Sequence, residues 1–235
     1  SVREQAGDRQ LRPQAYLDIS DGSGGLGGHS QLIEDLESKR LDGLLLLAPG
    51  HDHNQAAELR ARGLPLVVFG GQRDGNWSVS IDWEPLLRQA GAELASAGCR
   101  HVGLLAPPAR GAALEEAFRQ AGADDVRIDD WSYDTWVNTI PGAGSRENCA
   151  HRLTGRMIAE QATNPLPDAL VSLGDTVSRG AITAILQAGL QPGRDIRIVT
   201  AENKGSPVLD PYAADITRIA LDPRECMQAA HGMLE

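Results

Sequence analysis

The sequence predicts an α/β fold built on parallel sheets, and three observations carry that reading. Short apolar runs alternate with stretches of helical periodicity along the chain, the pattern of strands joined by crossover helices. Residues 167–209 give the clearest unit. An apolar run at 169–173 precedes Ala181, Ile182, Ala184, Ile185 and Ala188 at helical spacing, and Ile196, Ile198 and Val199 follow as a second run. A strand, a helix and a second strand in that order form a βαβ unit with parallel strands. Third, the strand ends of this unit carry Gly174-Asp175 and Glu202-Asn203, and ligands of open parallel sheets bind beyond such carboxyl ends.

Taken in order, residues 2–11 are polar and helical in pattern and 15–19 read as a strand. A Gly-rich run at 22–28 then leads into a helix over 29–39. A G-x-G-x-x-G pattern between strand and helix raises a dinucleotide site. The next strand, 44–47, ends in Ala48-Pro49-Gly50 without the acid that would bond ribose hydroxyls, so a plain loop is the favoured reading. A helix over 52–62, a strand over 65–69 and a short strand over 78–82 follow. A helix over 84–97 is stopped by Gly98, a strand over 101–106 is closed by Pro107-Pro108, and a helix over 110–121 is stopped by Gly122. Residues 126–128 read as a strand running into an acidic and aromatic stretch at 129–136, and 137–145 as a loop containing Gly and Pro. A helix over 146–162 precedes the βαβ unit, whose own helix ends at Gly189. A strand over 216–221 and a helix over 223–234 complete the pattern. About nine strands exceed what one small compact sheet holds, so two sheets in two lobes are expected.

Composition excludes several classes. The chain has 235 residues, 41% of them hydrophobic, enough for a substantial core. Lys plus Arg is 22 against 32 Asp plus Glu, a formal charge of −10. That balance argues against a nucleic-acid surface, which needs a basic patch. Cys99, Cys149 and Cys226 are odd in number and far apart, which fits neither a disulfide framework nor a zinc spacing and agrees with a reducing cytoplasm. No segment has the apolar length of a membrane span, and no secretory signal is read at the start. The first residues look like the interior of a helix, so the sequence is expected to begin partway into a longer chain.

Several stretches together resemble the effector-binding region of lactose-repressor-type transcription regulators, whose fold is shared with periplasmic sugar-binding proteins. LESKRLDG at 36–43 followed by LLLL resembles the family's strand after Asp-Gly. GLPLVV at 63–68 is similar to its G-I-P-V-V strand, and LASAGCRHVGLL at 94–105 to L-x-x-x-G-H-R-x-I-x-x-L. DTVSRGAITAIL at 175–186 resembles N-D-x-x-A-x-G-A, and DIRIVTAEN at 195–203 resembles D-I-x-V-x-G-F-D-N. The resemblance covers about residues 31–225 and implies a two-lobed, type I periplasmic-binding-protein-like fold with a ligand cleft between the lobes. It places residues 1–82 and 217–235 in one lobe and 83–216 in the other. It further implies a small-molecule effector, sugar-like, a homodimer, a cytoplasmic location, and operator DNA reached only through a DNA-binding head outside this sequence.

The resemblance also supplies site residues. Arg110 corresponds to the pocket arginine that opens a helix; its guanidinium presents five donors in a fixed fork, suited to paired hydroxyls or a carboxylate, although a surface Arg at a helix start would look the same. Trp131 corresponds to the aromatic that stacks on the ligand ring, with a rim or core Trp as the rival reading. Tyr133 and Trp136 could line the same wall. Glu202 stands where the family carries a pocket aspartate, against a solvated loop acid. Asp175 matches the aspartate of the N-D pair, and its residue type favours a helix cap. Gly174 stands where relatives carry Asn, and Ala48 and Gly70 also fall at positions that are polar in sugar-binding relatives; Gln72 and Arg73 are candidate compensations.

His51-Asp52-His53 invites a metal reading, but with no third ligand in view Asp52 is better read as an acid at a helix start. No nucleophile–base pair suggests catalysis, since Ser172 and Ser178 fall in a strand and a helix without an elbow motif. No cofactor is expected. A ligand sensor is therefore the first reading, a periplasmic solute-binding protein the second, and a nucleotide-dependent enzyme using the Gly-rich loop the third.

Overall fold

The computed structural model describes residues 12, 14–16, 30–47, 59, 61–69, 77–107, 109–132 and 145–234. In chain order the described elements are α1 (Ser30–Glu37), β1 (Leu44–Leu47), β2 (Leu66–Phe69), β3 (Ser78–Val79), α2 (Glu84–Ser96), β4 (His101–Ala106), α3 (Gly111–Gln120), β5 (Arg127–Ser132), α4 (Arg146–Ala159), β6 (Ala169–Ser172), α5 (Asp175–Gln187), β7 (Arg197–Asn203), a 3-10 turn at Asp210–Tyr212, β8 (Thr217–Leu221) and α6 (Pro223–Gly232). Every strand pairing among them is parallel. The chain divides into two compact units, Ser1–Ile81 with Asp222–Glu235, and Asp82–Leu221.

In the first unit three strands pair in the order β1-β2-β3. Leu32 and Leu36 of α1 are buried with Leu46, Leu59, Leu66 and Val68, and Tyr16 packs against that cluster. The Tyr16 hydroxyl donates to Asp35 Oδ2 at 2.5 Å, which ties the segment before α1 to the helix. Burial and that carboxylate push the Tyr16 phenol up to about 12.

The second unit is a five-stranded sheet in the order β5-β4-β6-β7-β8. Period-two alternation explains why both of its faces are covered. Val102, Leu104 and Ala106 of β4, Ala169 and Val171 of β6, and Val199 and Ala201 of β7 pack with Leu86, Leu87, Ala90 and Leu94 of α2 and Leu114 and Phe118 of α3. The intervening residues Leu105, Leu170 and Ile198 pack instead with Leu153 and Met157 of α4 and Ile182 and Ile185 of α5. Both helix pairs approach closely at a glycine. A Cβ on Gly91 would lie 2.6 Å from the Ala117 Cβ, and one on Gly180 would collide with the Glu147 carbonyl oxygen.

Several element ends follow their local chemistry. Ser145 caps α4 by accepting the Asn148 N–H at 3.1 Å. Asp222 caps α6 by accepting the Arg224 N–H at 3.0 Å, with Pro223 as the first helical residue. Gly98, Gly122 and Gly189 take φ of +80°, +80° and +76° just beyond α2, α3 and α5, as the sequence predicts.

Three expectations are corrected. The strand read over 126–128 continues to Ser132, because register with β4 runs from His101↔Arg127 to Ala106↔Ser132. Asp129 and Asp130 are therefore strand residues on opposite faces. The strand read over 78–82 is only Ser78–Val79. Strand β8, assigned from the sequence to the first lobe, pairs with β7 from Val199↔Thr217 to Asn203↔Leu221 and so belongs to the second unit. The Gly-rich run 22–28, His51, Asp52, His53, Ala48, Gly70, Gln72, Arg73, Tyr133 and Trp136 lie outside the described residues.

Candidate functional site: the carboxyl edge of the five-stranded sheet

Five parallel strands send their carboxyl ends to one edge. The register Leu105↔Ser172, Ser172↔Thr200 and Thr200↔Arg218 aligns β4, β6, β7 and β8, and Ala106↔Ser132 brings β5 level with them. Trp131, the segment 109–110 after β4, Gly174-Asp175 after β6 and Glu202-Asn203 of β7 all fall at this edge. All five site residues expected from the sequence are thus in one region of one unit.

Arg110 occupies the N-cap position of α3 with φ −106° and ψ −15°. Its Nε is buried without a hydrogen-bond partner, and the guanidinium makes no ion pair among the described residues. A buried N–H left unpaired loses its hydration with nothing in return, about 1–3 kcal/mol. The residue before it, Ala109, has φ +63°, a left-handed conformation that L side chains avoid. Beside it, Asp130 accepts the Gly111 N–H; burial pushes its carboxyl above the ordinary aspartate range, and that single bond only partly offsets the burial.

Glu202 is 8% exposed. Arg218 Nη1 lies 3.3 and 3.2 Å from its two oxygens and 3.2 Å from Asp210 Oδ1. The acid expected to meet a ligand is thus already engaged by a cation from the neighbouring strand. Arg218 was not singled out from the sequence. Its one signal is a lone charge between Thr217 and Ile219 in an otherwise uncharged strand, two residues along from a partner acid that only the β7–β8 register reveals.

Asp175 is also engaged. Its Oδ2 accepts the Ser206 hydroxyl at 2.6 Å and its Oδ1 the Thr176 N–H at 2.8 Å. The capping expectation is corrected in part: Gly174 holds the N-cap position without a side-chain bond, and Asp175 is the first helical residue. It satisfies one early helix N–H while pinning the loop after β7. Gly174 has φ +157° and ψ 139°, a backbone conformation that disfavours any side chain, although a Cβ there would find its nearest neighbour 3.7 Å away. The absence of Asn at this position therefore follows from the backbone rather than from lack of room.

Trp131 is half-buried and packs against the cluster of Leu105, Leu153 and Ile182. At least part of the indole therefore has a packing role. Below Gly174, the hydroxyls of Ser172, Ser178 and Thr200 are buried together. Ser178 bonds both Ser172 and Thr200, the latter at 2.5 Å, and reaches the Gly174 carbonyl at 3.1 Å. Thr200 donates to the Ala201 carbonyl at 2.9 Å. These hydroxyls satisfy one another and hold the start of α5 on the sheet. A separate groove of about 420 Å³, lined by Glu93, Arg194, Arg197, Asp215 and Thr217 among others, lies at the opposite, amino edge.

Residues 92–235 match the family described as the periplasmic binding protein-like domain. The chain belongs to that family. Its fold is the type I periplasmic-binding-protein-like fold, and solved structures share it. A LacI family transcriptional regulator from an Arthrobacter species, in complex with lactose, superposes with a TM-score of 0.68 at 20% identity, covering 99% of this chain and 80% of that one. The transcription regulator CcpA of Lactococcus lactis gives 0.70 at 17% identity, with 99% and 82% covered. The periplasmic binding protein component of an arabinose transporter from a Shewanella species, bound to arabinofuranose, gives 0.68 at 17%, with 99% and 79% covered. At these identities the likeness shows the fold. No curated protein sequence matches the chain. Among the described residues, no helix is long and apolar enough to cross a membrane.

Proposed function

We propose that this chain is the effector-binding part of a bacterial transcription regulator of the lactose-repressor type. It binds a carbohydrate-like molecule at the carboxyl edge of its five-stranded sheet and passes the resulting change, through a homodimer in the cytoplasm, to a DNA-binding head. The observation that carries the reading is Arg110: a guanidinium at the carboxyl edge of a parallel sheet, with its Nε buried and no partner among the described residues. The family match, the regulators that share the fold and the sequence motifs support the regulatory side. Glu202, Asp175, Gly174 and Trp131 form the rest of the proposed site, with Glu202 acting together with Arg218. A ligand can shift a conformational equilibrium only by its difference in affinity for the two states.

Calorimetry against a panel of monosaccharides, disaccharides and their derivatives tests this. Binding by the chain and its loss in Arg110→Ala is the expected result; binding unchanged in the variant removes Arg110 from the site. A second reading, a periplasmic solute-binding protein, is favoured by the arabinose-binding structure with the same fold. The two part on assembly: sedimentation showing a dimer supports the regulator, and a strict monomer supports the transporter component.

A further inference from the structure

We propose that the effector is an acidic carbohydrate derivative, bearing an anionic oxyacid group that the Arg110 guanidinium holds. The inference rests on the ligand-binding reading above and narrows its ligand.

Neutral sugars present many hydroxyls and are gripped best by carboxylates with free lone pairs, which can accept several hydroxyl protons at once. Among the described residues at this edge, Glu202, Asp175 and Asp130 already have protein partners. Both oxygens of Glu202 face Arg218. Both oxygens of Asp175 accept bonds, from Ser206 and from the Thr176 N–H. Asp130 serves the Gly111 N–H. The neighbouring hydroxyls of Ser172, Ser178 and Thr200 close on one another and on backbone carbonyls. Gly174 contributes no side chain.

The cations at the edge divide differently. Arg218 is shared by Glu202 and Asp210, and Arg179 makes two bonds to Glu147, at 2.8 and 2.6 Å. Arg110 has no partner among the described residues. Among the described residues, Arg110 is therefore the cation of this edge left without an acceptor, and a charged acceptor would complement it best. An Arg fork takes a carboxylate or phosphate through two parallel N–H bonds, which are stronger than bonds to neutral oxygen.

The test is calorimetry with matched sets: glucose, glucuronate and glucose 6-phosphate, and the same three forms of galactose and mannose. At least one acidic member should bind at least tenfold more tightly than its neutral parent, with an advantage that shrinks as salt rises. The uronate and phosphate arms show which oxyacid is taken. Arg110→Gln should lower the acidic member to its neutral parent, and Arg110→Lys should retain part of the preference as a charge without the fork. Arg197→Gln, at the amino edge, should change nothing. Thermal unfolding shows whether each variant is folded; if Arg110→Gln is not, the acid-to-neutral ratio and its salt dependence in the unaltered chain decide. Neutral sugars binding as tightly as their acids, or an acidic preference that survives Arg110→Gln, overturns this inference and leaves the ligand-sensing reading standing. Binding by no member of any set overturns both.

Discussion

The two edges of the five-stranded sheet are built from the same residue types and arranged differently. At the amino edge three acids close on the protein. Asp168 accepts the Arg100 and His101 N–H groups at 2.7 and 2.9 Å, and Glu93 accepts the Thr217 hydroxyl at 2.8 Å. Asp129 meets His101 at 2.8 Å and Arg127 at 3.0 Å. At the carboxyl edge Glu202 and Asp175 are closed in the same way, but Arg110 has no partner among the described residues, and the left-handed Ala109 and the unusual backbone at Gly174 lie there too. At the amino edge Asp168, Glu93 and Asp129 serve register and loop closure. Among the described residues, the carboxyl edge holds one cation without a protein partner, Arg110, and two unusual backbone positions, Ala109 and Gly174.

The sharpest way to break this contrast is to unmake a closed pair. Arg218→Ala strands Glu202 at 8% exposure without its cation, and urea unfolding should show a loss of about 3 kcal/mol. At the other edge, Asp168→Ala frees two backbone N–H groups that water partly reaches, so the expected loss is smaller, about 1–2 kcal/mol. Arg110→Gln should cost almost nothing in the same assay, within about 0.5 kcal/mol, because no protein partner is lost. Equal losses at all three positions would dissolve the distinction between the edges.

The neighbours Asp129 and Asp130 sharpen it through pH. Burial acts to raise the Asp129 carboxyl, but the bonds and charges of His101 and Arg127 outweigh it and hold it below the ordinary range. Its contribution to stability is therefore complete above the unfolded aspartate value, about 4, and is lost as pH falls through the lower folded value. Asp130, raised by burial, has the opposite sign: the fold gains as pH falls through its folded value. Chemical unfolding across pH 2–6, a window of roughly two units either side of that value, should show Asp129→Asn flattening the acid limb and Asp130→Asn removing the small opposing gain. The smallest effect is expected at Ala109→Gly, a change within about 1 kcal/mol that favours the fold where relief of left-handed strain exceeds the added chain entropy; thermal melting checks it.

Much of this was legible in the sequence for a simple reason. Periodicity and stop signals are local, so α2, α3 and α5 were placed within a few residues from apolar spacing and a terminal glycine, and β4 from an apolar run closed by Pro107-Pro108. Arg110 and Glu202 could be proposed from motif spacing. What surrounds them could not. Nothing within the strand reading of 216–221 says that Arg218 lies against Glu202, because that depends on β8 pairing with β7. Nothing near Asp175 says that Ser206 will reach it. The strand reading that stopped at Ile128 failed because Asp129 and Asp130 are poor strand formers by type; pairing with β4, and a partner on each face, overrode that preference.

The sequence by itself determined the α/β class, the parallel pairing, the order of elements and the residue types gathered at one sheet edge, because these depend on patterns within a few residues of each other. Only the tertiary structure decided which of those residues are free. Among the described residues Glu202 and Asp175 have partners and Arg110 has none, because register and loop closure bring Arg218 and Ser206 to the two acids and no acceptor to the arginine.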